Sequence, residues 1–247
     1  MNSGHQAPLS SSDRVSLNAV VVIPAYQARG SIGPLVRAVR EQGLPVIVVD
    51  DASSDETLRE AKESGASVIR RSLNGGKGMA LREGLDAALK SGYRWMLTMD
   101  ADGQHLPSEI PRFLEVGVRE SADLILGDRM HSPKGMPLDR WLTNRFMSWV
   151  LSWVAGQRIP DSQCGFRLIS HNILEQVNLS CDRFETESEL LVKSARAGYR
   201  IVSIPVSSVY RRNLSFIRPV QDTVRFFRFL FSMWRMNREE RAHPPEV

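Results

Sequence analysis

Short apolar runs alternate with amphipathic stretches along the first half of the chain. The run at residues 19–24, Ala-Val-Val-Val-Ile-Pro, is continuous and β-branched, which is typical of a strand buried on both faces of a parallel sheet. Similar runs predict strands at residues 45–49, 67–70, 94–99, 122–126 and 200–206. Helical periodicity predicts helices at residues 31–42 and 78–90, and residues 53–56 supply the capping positions of another. This alternation predicts an α/β fold, a doubly wound, mostly parallel sheet with helices on both faces.

The second half of the chain follows a different pattern. Its residues predict an aromatic-rich helix at 141–155, a polar loop at 161–167 and a further helix at 185–197. The aromatic-rich helix leaves only a narrow polar stripe, formed by Asn144, Arg145, Ser148 and Ser152. Its surroundings are therefore expected to be apolar, either the protein core or a membrane surface.

A basic amphipathic helix is predicted near the C-terminus, at residues 216–238. Seven arginines and a single acid, Asp222, lie between Arg211 and Arg238, and apolar side chains alternate with them at helical spacing. This pattern suits the surface of an anionic membrane. We expect a folded domain at residues 18–215 and flexible tails at residues 1–17 and 239–247.

Composition narrows the class of protein. Of the 247 residues, 42% are hydrophobic and 24% are charged, which excludes collagen-like, disulfide-framework and wholly disordered chains. No stretch reaches the roughly 18 apolar residues that a membrane-spanning helix needs. Cys164 and Cys181 form no CxxC pair, which argues against zinc and favours a reducing compartment. The net charge of +4 is too small to indicate a nucleic-acid partner, and no nucleic-acid-binding module accompanies the basic residues.

Polar side chains follow several of the predicted strands, at the edge where ligands bind in doubly wound folds. These strand ends carry Pro24-Ala25-Tyr26, Asp50-Asp51, Asp100-Ala101-Asp102 and Gly127-Asp128-Arg129. Asp100 and Asp102 are two residues apart and can point the same way. With Gln104 they offer hard oxygen ligands for one Mg²⁺ or Mn²⁺, which would bridge a diphosphate. A solvated acidic turn is the alternative to a metal site.

The acidic pair Asp50-Asp51 and Lys77 each allow two interpretations. The pair ends a strand and can accept hydrogen bonds from a base or ribose, whereas helix capping alone would also explain Asp50. Lys77 lies between Gly76 and Gly78 at a helix start, where free backbone N–H groups favour phosphate; a plain flexible turn is the alternative. This segment lacks the Ser or Thr of a P-loop, and no G-x-G-x-x-G follows the first strand, which excludes kinases and nicotinamide dehydrogenases.

Six motifs of the chain occur in an order that resembles family 2 glycosyltransferases. They are Pro24-Ala25-Tyr26, Val49 to Ser53, Gly76-Lys77-Gly78, Asp100 to Gln104, Asp161 to Arg167 and Glu185 to Glu189. The resemblance covers residues 19–220 and is strongest to the polyprenyl (dolichyl) phosphate mannosyl- and glucosyltransferases. It implies a GT-A fold, a nucleotide-sugar donor, a divalent metal and an enzyme that inverts the anomeric carbon.

The resemblance also assigns roles to particular residues. It implies that Pro24, Tyr26 and Asp51 contact the nucleoside and that Lys77 also binds the nucleotide sugar. Asp100, Ala101, Asp102 and Gln104 would hold the metal and diphosphate. Arg129 and Arg140 would contact phosphates and, with Asp102, carry catalysis. The acceptor phosphate would lie against Arg140, Asn144, Arg211 and Ser215.

Two positions depart from the family pattern. Gln27-Ala28 stands where Asn-Glu is usual, which bears on the nucleotide contacts. Phe216 stands where Lys or His is expected, which removes a cation that Arg211, Arg212 or Arg218 would have to replace.

The expected reaction moves mannose or glucose from GDP or UDP to a polyprenyl phosphate, by a peripheral protein on the cytoplasmic face of a membrane. A phosphate monoester, with a second pKa of about 6, arrives ionised and needs positioning rather than a base. A glycan or other hydroxyl acceptor would need a general base, for which Asp161, Glu187 and Glu189 are candidates. A nucleotide-binding module that has lost catalysis is the remaining alternative.

Overall fold

The structure is a computed structural model that describes residues 18–133, 135–182 and 185–208. Arg211, Ser215, the predicted C-terminal helix and both predicted tails lie outside these residues. None of the helices in the described ranges combines the length and the hydropathy that a bilayer-spanning segment requires.

The described residues form one sheet of seven strands. In chain order these are β1 Ala19–Ala25, β2 Val46–Asp50, β3 Ser67–Arg70, β4 Trp95–Thr98, β5 Leu124–Asp128, β6 Arg167–Ser170 and β7 Ile201–Pro205. Their order across the sheet is β3-β2-β1-β4-β6-β5-β7. All pairs are parallel except those that β6 makes with β4 and β5. The predicted mostly parallel sheet is confirmed.

Helices cover both faces of the sheet, as predicted. They are α1 Ile32–Glu41, α2 Thr57–Glu63, α3 Lys77–Lys90, α4 Ile110–Arg119, α5 Leu138–Ala155, α6 His171–Gln176 and α7 Glu185–Arg196, with a short 3-10 helix at Pro107–Glu109. Successive side chains of a strand point to opposite faces, so Val21 and Ile23 share an apolar cluster with residues of α1 and α4. Val20 and Val22 share another with residues of α3 and α7. All four side chains are fully buried, which explains the continuous β-branched run.

Strand β6 is the main departure from the predicted sheet. The sequence predicts a loop up to residue 167, but Arg167 begins a strand that pairs antiparallel with β4 and β5. Four residues, Arg-Leu-Ile-Ser, are too short to signal a strand by themselves, and the two neighbouring strands supply the pairing. Because β6 runs against its neighbours, Arg167 lies opposite Thr98 and Leu126, near the carboxyl ends of β4 and β5. The preceding residues 161–166 are thereby brought to the edge where the predicted site residues lie.

Helix α5 turns two polar side chains, Asn144 and Ser148, inward and five large apolar side chains outward. Its buried residues are Asn144, Ser148, Leu151 and Ala155. Its exposed large apolar residues are Leu138, Leu142, Phe146, Trp149 and Trp153, which we call the apolar stripe. Trp149 is 67% exposed and Trp153 is 77% exposed. Of the two apolar surroundings that the sequence allows, the described part of the protein does not supply a core for this stripe.

Candidate active site

The carboxylate of Asp51, at the end of β2, holds the loop that precedes α3. It accepts hydrogen bonds from the backbone N–H groups of Gly75 (3.0 Å) and Gly76 (2.7 Å) and from Arg71 Nη1 (2.7 Å). The backbone N–H groups of Gly75 and Gly76 are therefore not free, and a phosphate contact at the helix start that holds Lys77 stays a prediction. These groups bind a carboxylate of the protein itself, and Asp51 fixes the position from which Lys77 starts its helix.

The loop after β1 is held against the loop after β2. Four successive backbone N–H groups, of Gln27, Ala28, Arg29 and Gly30, donate to side-chain oxygens of Ser53, Thr57, Asp55 and Glu60 respectively, at 2.7 to 3.1 Å. The Asp51 N–H also donates to the carbonyl of Ala25 (2.8 Å). Buried Pro24 lies near the end of β1, and Tyr26, 45% exposed, directly follows the strand, so both lie near Asp51. Their contact with a nucleoside stays a prediction.

The unusual pair Gln27-Ala28 has local partners in this arrangement. Gln27 lies in the left-handed region (φ 51°), and its side-chain Nε2 donates to Ser54 Oγ (2.8 Å). The Ala28 N–H donates to the fully buried Thr57 Oγ1. The loop is therefore ordered by backbone groups, which do not depend on the side chains found at these positions in the family.

Asp102 and Gln104 form a tight turn beyond β4. Asp102 Oδ1 accepts from the Gln104 N–H (2.9 Å), and Oδ2 accepts from Gln104 Nε2 (2.7 Å). With Asp100 these side chains supply hard oxygen donors, whose chemistry fits Mg²⁺ or Mn²⁺. Within the described ranges, no three His, Cys, Asp or Glu side chains are grouped to hold a metal. Diphosphate and water oxygens would therefore have to complete the coordination, which is usual for Mg²⁺.

Lys77 joins Asp100 to helix α7. Its Nζ lies 2.6 Å from Asp100 Oδ1 and 2.9 Å from Glu187 Oε2. Burial alone would raise the pKa of Asp100, but the Lys77 ammonium outweighs it and holds that pKa well below the usual 3.8. Burial likewise opposes the charge on Lys77, and the two carboxylates nevertheless raise its pKa above 10.5. Lys77 and Asp100 are therefore both charged at neutral pH.

The sequence does not predict two further residues that contact Asp100. His105 is 2% exposed, its Nδ1 accepts from the Asp100 N–H (3.3 Å), and its ring stacks on Phe166 at 5.2 Å. Burial lowers the pKa of His105 below 6.5, so its ring is neutral at pH 7. At Gly165 an added Cβ would lie 2.7 Å from both carboxylate oxygens of Asp100. The sequence could have indicated His105, because it directly follows Gln104. Gly165 lies inside the motif at residues 161–167, but nothing in that motif indicates that it approaches Asp100.

Arg129 lies at the predicted edge, but it is bound to Asp161. Its Nε donates to Asp161 Oδ2 (2.7 Å) and its Nη2 to Oδ1 (3.0 Å), while its backbone N–H also reaches Oδ2 (3.1 Å). Arg129 is 4% exposed and Asp161 is 1% exposed. The pair anchors residues 161–166 to the end of β5. A contact of Arg129 with a phosphate stays a prediction, and it would have to compete with this ion pair.

Two of the three general-base candidates are fully engaged. Asp161 binds Arg129, and Glu189 accepts from the N–H groups of Ser180 and Cys181 (2.9 and 2.8 Å) and pairs with Lys193. Glu189 is 1% exposed and serves to hold the loop before α7. Glu187, whose side chain is 12% exposed, is the candidate that still faces Lys77 and Asp100.

Arg167 is a buried cation. In the sequence it is only the last residue of the motif at residues 161–167, with no role predicted for it. It is 1% exposed and donates to the carbonyls of Ser162 (2.9 Å), Cys164 (2.8 Å) and Glu187 (2.7 Å). These three bonds tie residues 162–164 to the start of α7. Its role is to shape the site, because carbonyl oxygens of the protein already use its guanidinium.

The described part of the acceptor side lies on α5. Asn144 is 6% exposed, and its Nδ2 has no hydrogen-bond partner among the described residues, whereas Ser148, one turn on, bonds Ser162 Oγ (3.2 Å). A buried amide without a partner is costly unless a ligand or water meets it. Arg140 lies half-buried in the first turn of α5. Arg211 and Ser215 lie outside the described residues, so the acceptor site as predicted is described only in part.

The sequence matches one protein family over most of its length. The model of that family, described as glycosyl transferase family 2, matches residues 20–177. An undecaprenyl-phosphate mannosyltransferase of Micrococcus luteus is 33% identical over 213 residues, which are 79% of this chain and 85% of the relative. A UDP-N-acetylglucosamine–dolichyl-phosphate N-acetylglucosaminyltransferase of Methanococcus voltae is 29% identical over 213 residues, 77% of this chain and 85% of the relative.

The fold is also that of a solved glycosyltransferase. The crystal structure of glucosyl-3-phosphoglycerate synthase from Mycobacterium tuberculosis, in complex with Mn²⁺, UDP and phosphoglyceric acid, superposes with a TM-score of 0.70. The match covers 93% of this chain and 84% of that chain at 18% identity. At 18% identity this similarity establishes the predicted GT-A fold, but it does not identify the substrates of this chain.

Proposed function

The chain belongs to glycosyl transferase family 2 and is a glycosyltransferase, and we propose that it transfers mannose or glucose from GDP or UDP to a polyprenyl phosphate. The acceptor phosphate oxygen forms a bond to the anomeric carbon as the bond from that carbon to the nucleoside diphosphate breaks. The product is the inverted, β-linked glycosyl phosphate lipid. A relative at 33% identity is named for transfer of mannose to undecaprenyl phosphate, which supports this class of acceptor.

The donor side of the proposal rests on the paired loops after β1 and β2. Tyr26 offers an exposed ring, and Asp51 lies directly beside it through the hydrogen bond from its N–H to Ala25. Because the N–H groups of residues 27–30 are all used to join these loops, the nucleoside would meet a preorganised surface.

Asp100, Asp102 and Gln104 would hold Mg²⁺ or Mn²⁺ in the proposed enzyme. When bound, the ion supplies positive charge to the diphosphate that leaves. Structural neighbours crystallised with Mn²⁺ or Mg²⁺ and UDP support this proposal. The residues of this chain orient the donor: Gln104 fixes both oxygens of Asp102, and Lys77 and His105 fix Asp100 from two sides.

A phosphate acceptor suits the site better than a hydroxyl acceptor. A hydroxyl must lose a proton in the reaction, and two of the three candidate bases, Asp161 and Glu189, are buried in other bonds. An ionised phosphate needs only donors and cations that position it. The buried Nδ2 of Asn144, which meets no acceptor in the part of the chain that the structure describes, supports such a donor at the acceptor side, with Arg140 near the start of the same helix.

The apolar stripe of α5 is the observation that carries the lipid part of the proposal. Five large apolar side chains point outward from a helix whose inward face bonds Ser162, next to Asp161. An amphipathic helix of this kind lies in a membrane surface, and tryptophan prefers that interface. We propose peripheral attachment to the cytoplasmic face through this stripe and the predicted basic helix at residues 216–238.

Substitution of Asp102 tests the function at its reacting centre. We expect Asp102→Ala to abolish metal-dependent transfer of labelled sugar from GDP-mannose or UDP-glucose to polyprenyl phosphate. Asp86→Ala is the matched control, because Asp86 is an exposed carboxylate that pairs with Lys90 on α3, away from the candidate site. Transfer retained by the Asp102 variant would contradict the metal assignment, and equal losses in both variants would point to an effect on folding.

A further inference from the structure

Lys77 is bonded to three elements of the site at once. Its backbone begins α3, next to Gly76, whose N–H is held by Asp51. Its ammonium reaches Asp100, two residues beyond β4, and Glu187 in the first turn of α7. Lys77 therefore connects three parts of the site. They are the loop beside the proposed nucleoside site, the proposed metal ligand Asp100 and the start of α7.

Lys77 divides its charge between two carboxylates, those of Asp100 and Glu187, and Arg167 lies near the second of them. The side chains of Lys77, Asp100 and Glu187 are only 24%, 28% and 12% exposed. Coulomb interactions are stronger in such a half-buried site than at the surface. Glu187 is fixed in place because Arg167 donates to its backbone carbonyl (2.7 Å) and lies 3.8 Å from its Oε1.

We propose that Lys77 and Glu187 form a positioning pair that sets the affinity of Asp100 for a divalent cation. The inference rests on the proposed function, in which Asp100 is a metal ligand. A cation that reaches Asp100 repels the Lys77 ammonium, and Glu187, already at 2.9 Å, keeps that ammonium in the site without leaving it unpaired. Without Glu187, Lys77 pairs with Asp100 alone and competes with the cation.

Opposite shifts in Mn²⁺ affinity test this pair in the absence of any substrate. Free Mn²⁺ is followed by electron paramagnetic resonance while it is titrated into the full-length protein. Lys77→Met removes the competing charge, so Mn²⁺ should bind about tenfold more tightly, within the usual range of coupling between neighbouring sites. Lys77→Arg keeps the charge and should restore the wild-type affinity. Glu187→Gln should weaken Mn²⁺ binding, because Lys77 then pairs with Asp100 alone.

The double variant separates coupling from the direct charge of Glu187. Glu187→Gln in the Lys77→Met background removes only the direct attraction of one carboxylate, so its effect should be smaller than in the wild-type background. A purely structural role of Lys77 would lower Mn²⁺ affinity in both single variants. Equal effects of Glu187→Gln in the two backgrounds would also contradict the positioning pair.

A control on α3 tests whether loss of any lysine charge from this helix changes Mn²⁺ affinity. Lys90→Met removes the same charge from the far end of α3, where Lys90 pairs with Asp86, and should leave Mn²⁺ affinity unchanged. If Lys77→Met does not fold, Lys77→Gln, which removes the same charge and keeps a polar side chain, takes its place in the single and the double variants. A wild-type protein that binds no Mn²⁺ contradicts the proposed metal site and this inference together. Wild-type binding with Lys77→Met equal to Lys90→Met contradicts the inference alone.

Discussion

At the scale of single residues, Gly165 leaves room for the carboxylate of Asp100. Any side chain there would place a carbon 2.7 Å from both oxygens, a distance at which one group must move. We expect Gly165→Ala to weaken Mn²⁺ binding by about tenfold or more, which corresponds to roughly 1.4 kcal/mol. Mn²⁺ titration of the free protein measures this effect.

The control for that change is Gly92→Ala, at the end of α3 next to Asn18. An added Cβ at Gly92 meets nothing within 4 Å, although its φ of +79° makes the alanine strained. The control should therefore lose about 1 kcal/mol of unfolding free energy and keep its Mn²⁺ affinity. Equal Mn²⁺ affinity in the two variants would show that Asp100 does not need the space at Gly165.

Glu189 predicts a pH dependence of stability. Burial opposes its charge, but bonds from Lys193, Ser180 and Cys181 outweigh burial and hold its pKa below the usual 4.5. A carboxyl with a lowered pKa in the folded state contributes stability above its unfolded pKa and loses it as the pH falls through the folded value. Glu189→Gln should therefore lower Tm at pH 7, by the equivalent of about 1.5 to 3 kcal/mol for charged hydrogen bonds.

Thermal unfolding of both proteins between pH 7 and pH 3 checks this dependence. The difference in Tm should be constant above about pH 5 and shrink below the ordinary carboxyl pKa of 4.5. Lys193→Gln is a useful companion, because it removes one partner and leaves the carboxylate. A difference in Tm that does not change with pH would mean that the ionised carboxylate is not what holds residues 180 and 181.

At the scale of elements, the apolar stripe of α5 predicts membrane binding that is separable from folding. Trp149 and Trp153 are mostly exposed, so Trp149→Ser with Trp153→Ser should change Tm little. Loss of two interfacial tryptophans should lower binding to phosphatidylcholine–phosphatidylglycerol vesicles by about tenfold or more, measured by co-sedimentation. Val118→Ser, at an exposed apolar position of α4, should bind vesicles as the wild type does. Equal binding by all three proteins would contradict the role of the stripe.

The same scale shows why the sequence predicts some elements and misses others. The runs in β1 and β2 are continuous because both faces are buried, so composition alone reveals them. Strand β6 has only four residues, and it forms because its backbone pairs with β4 on one side and with β5 on the other. For α5 the pattern predicts the helix but not which of its faces is buried. That face is polar because Ser148 bonds Ser162, a contact that exists only in the folded chain.

At the scale of the whole molecule, some residues of the candidate site can be predicted from local sequence, and others depend on contacts between distant parts of the chain. Asp100 and Asp102 are recognisable from the sequence because their spacing and their place after a strand are local features. Arg129 also lies at the predicted edge. Its partner Asp161 is 32 residues away in the sequence, so no local pattern predicts their ion pair. His105 and Arg167 gain their roles only from contacts across the fold. The sequence therefore predicts which edge carries the chemistry, and the tertiary contacts decide which side chains remain available for ligands.

Acceptor dependence of sugar transfer tests the central claim most directly. The purified protein is given Mg²⁺ or Mn²⁺ and radiolabelled GDP- or UDP-hexoses, with and without a polyprenyl phosphate, and label in the organic phase is counted. We expect one donor to give lipid-borne label that requires both the lipid phosphate and the metal. Consumption of a donor without lipid-borne label would contradict the phosphate acceptor and favour a hydroxyl acceptor, whereas binding without any turnover would contradict catalysis itself.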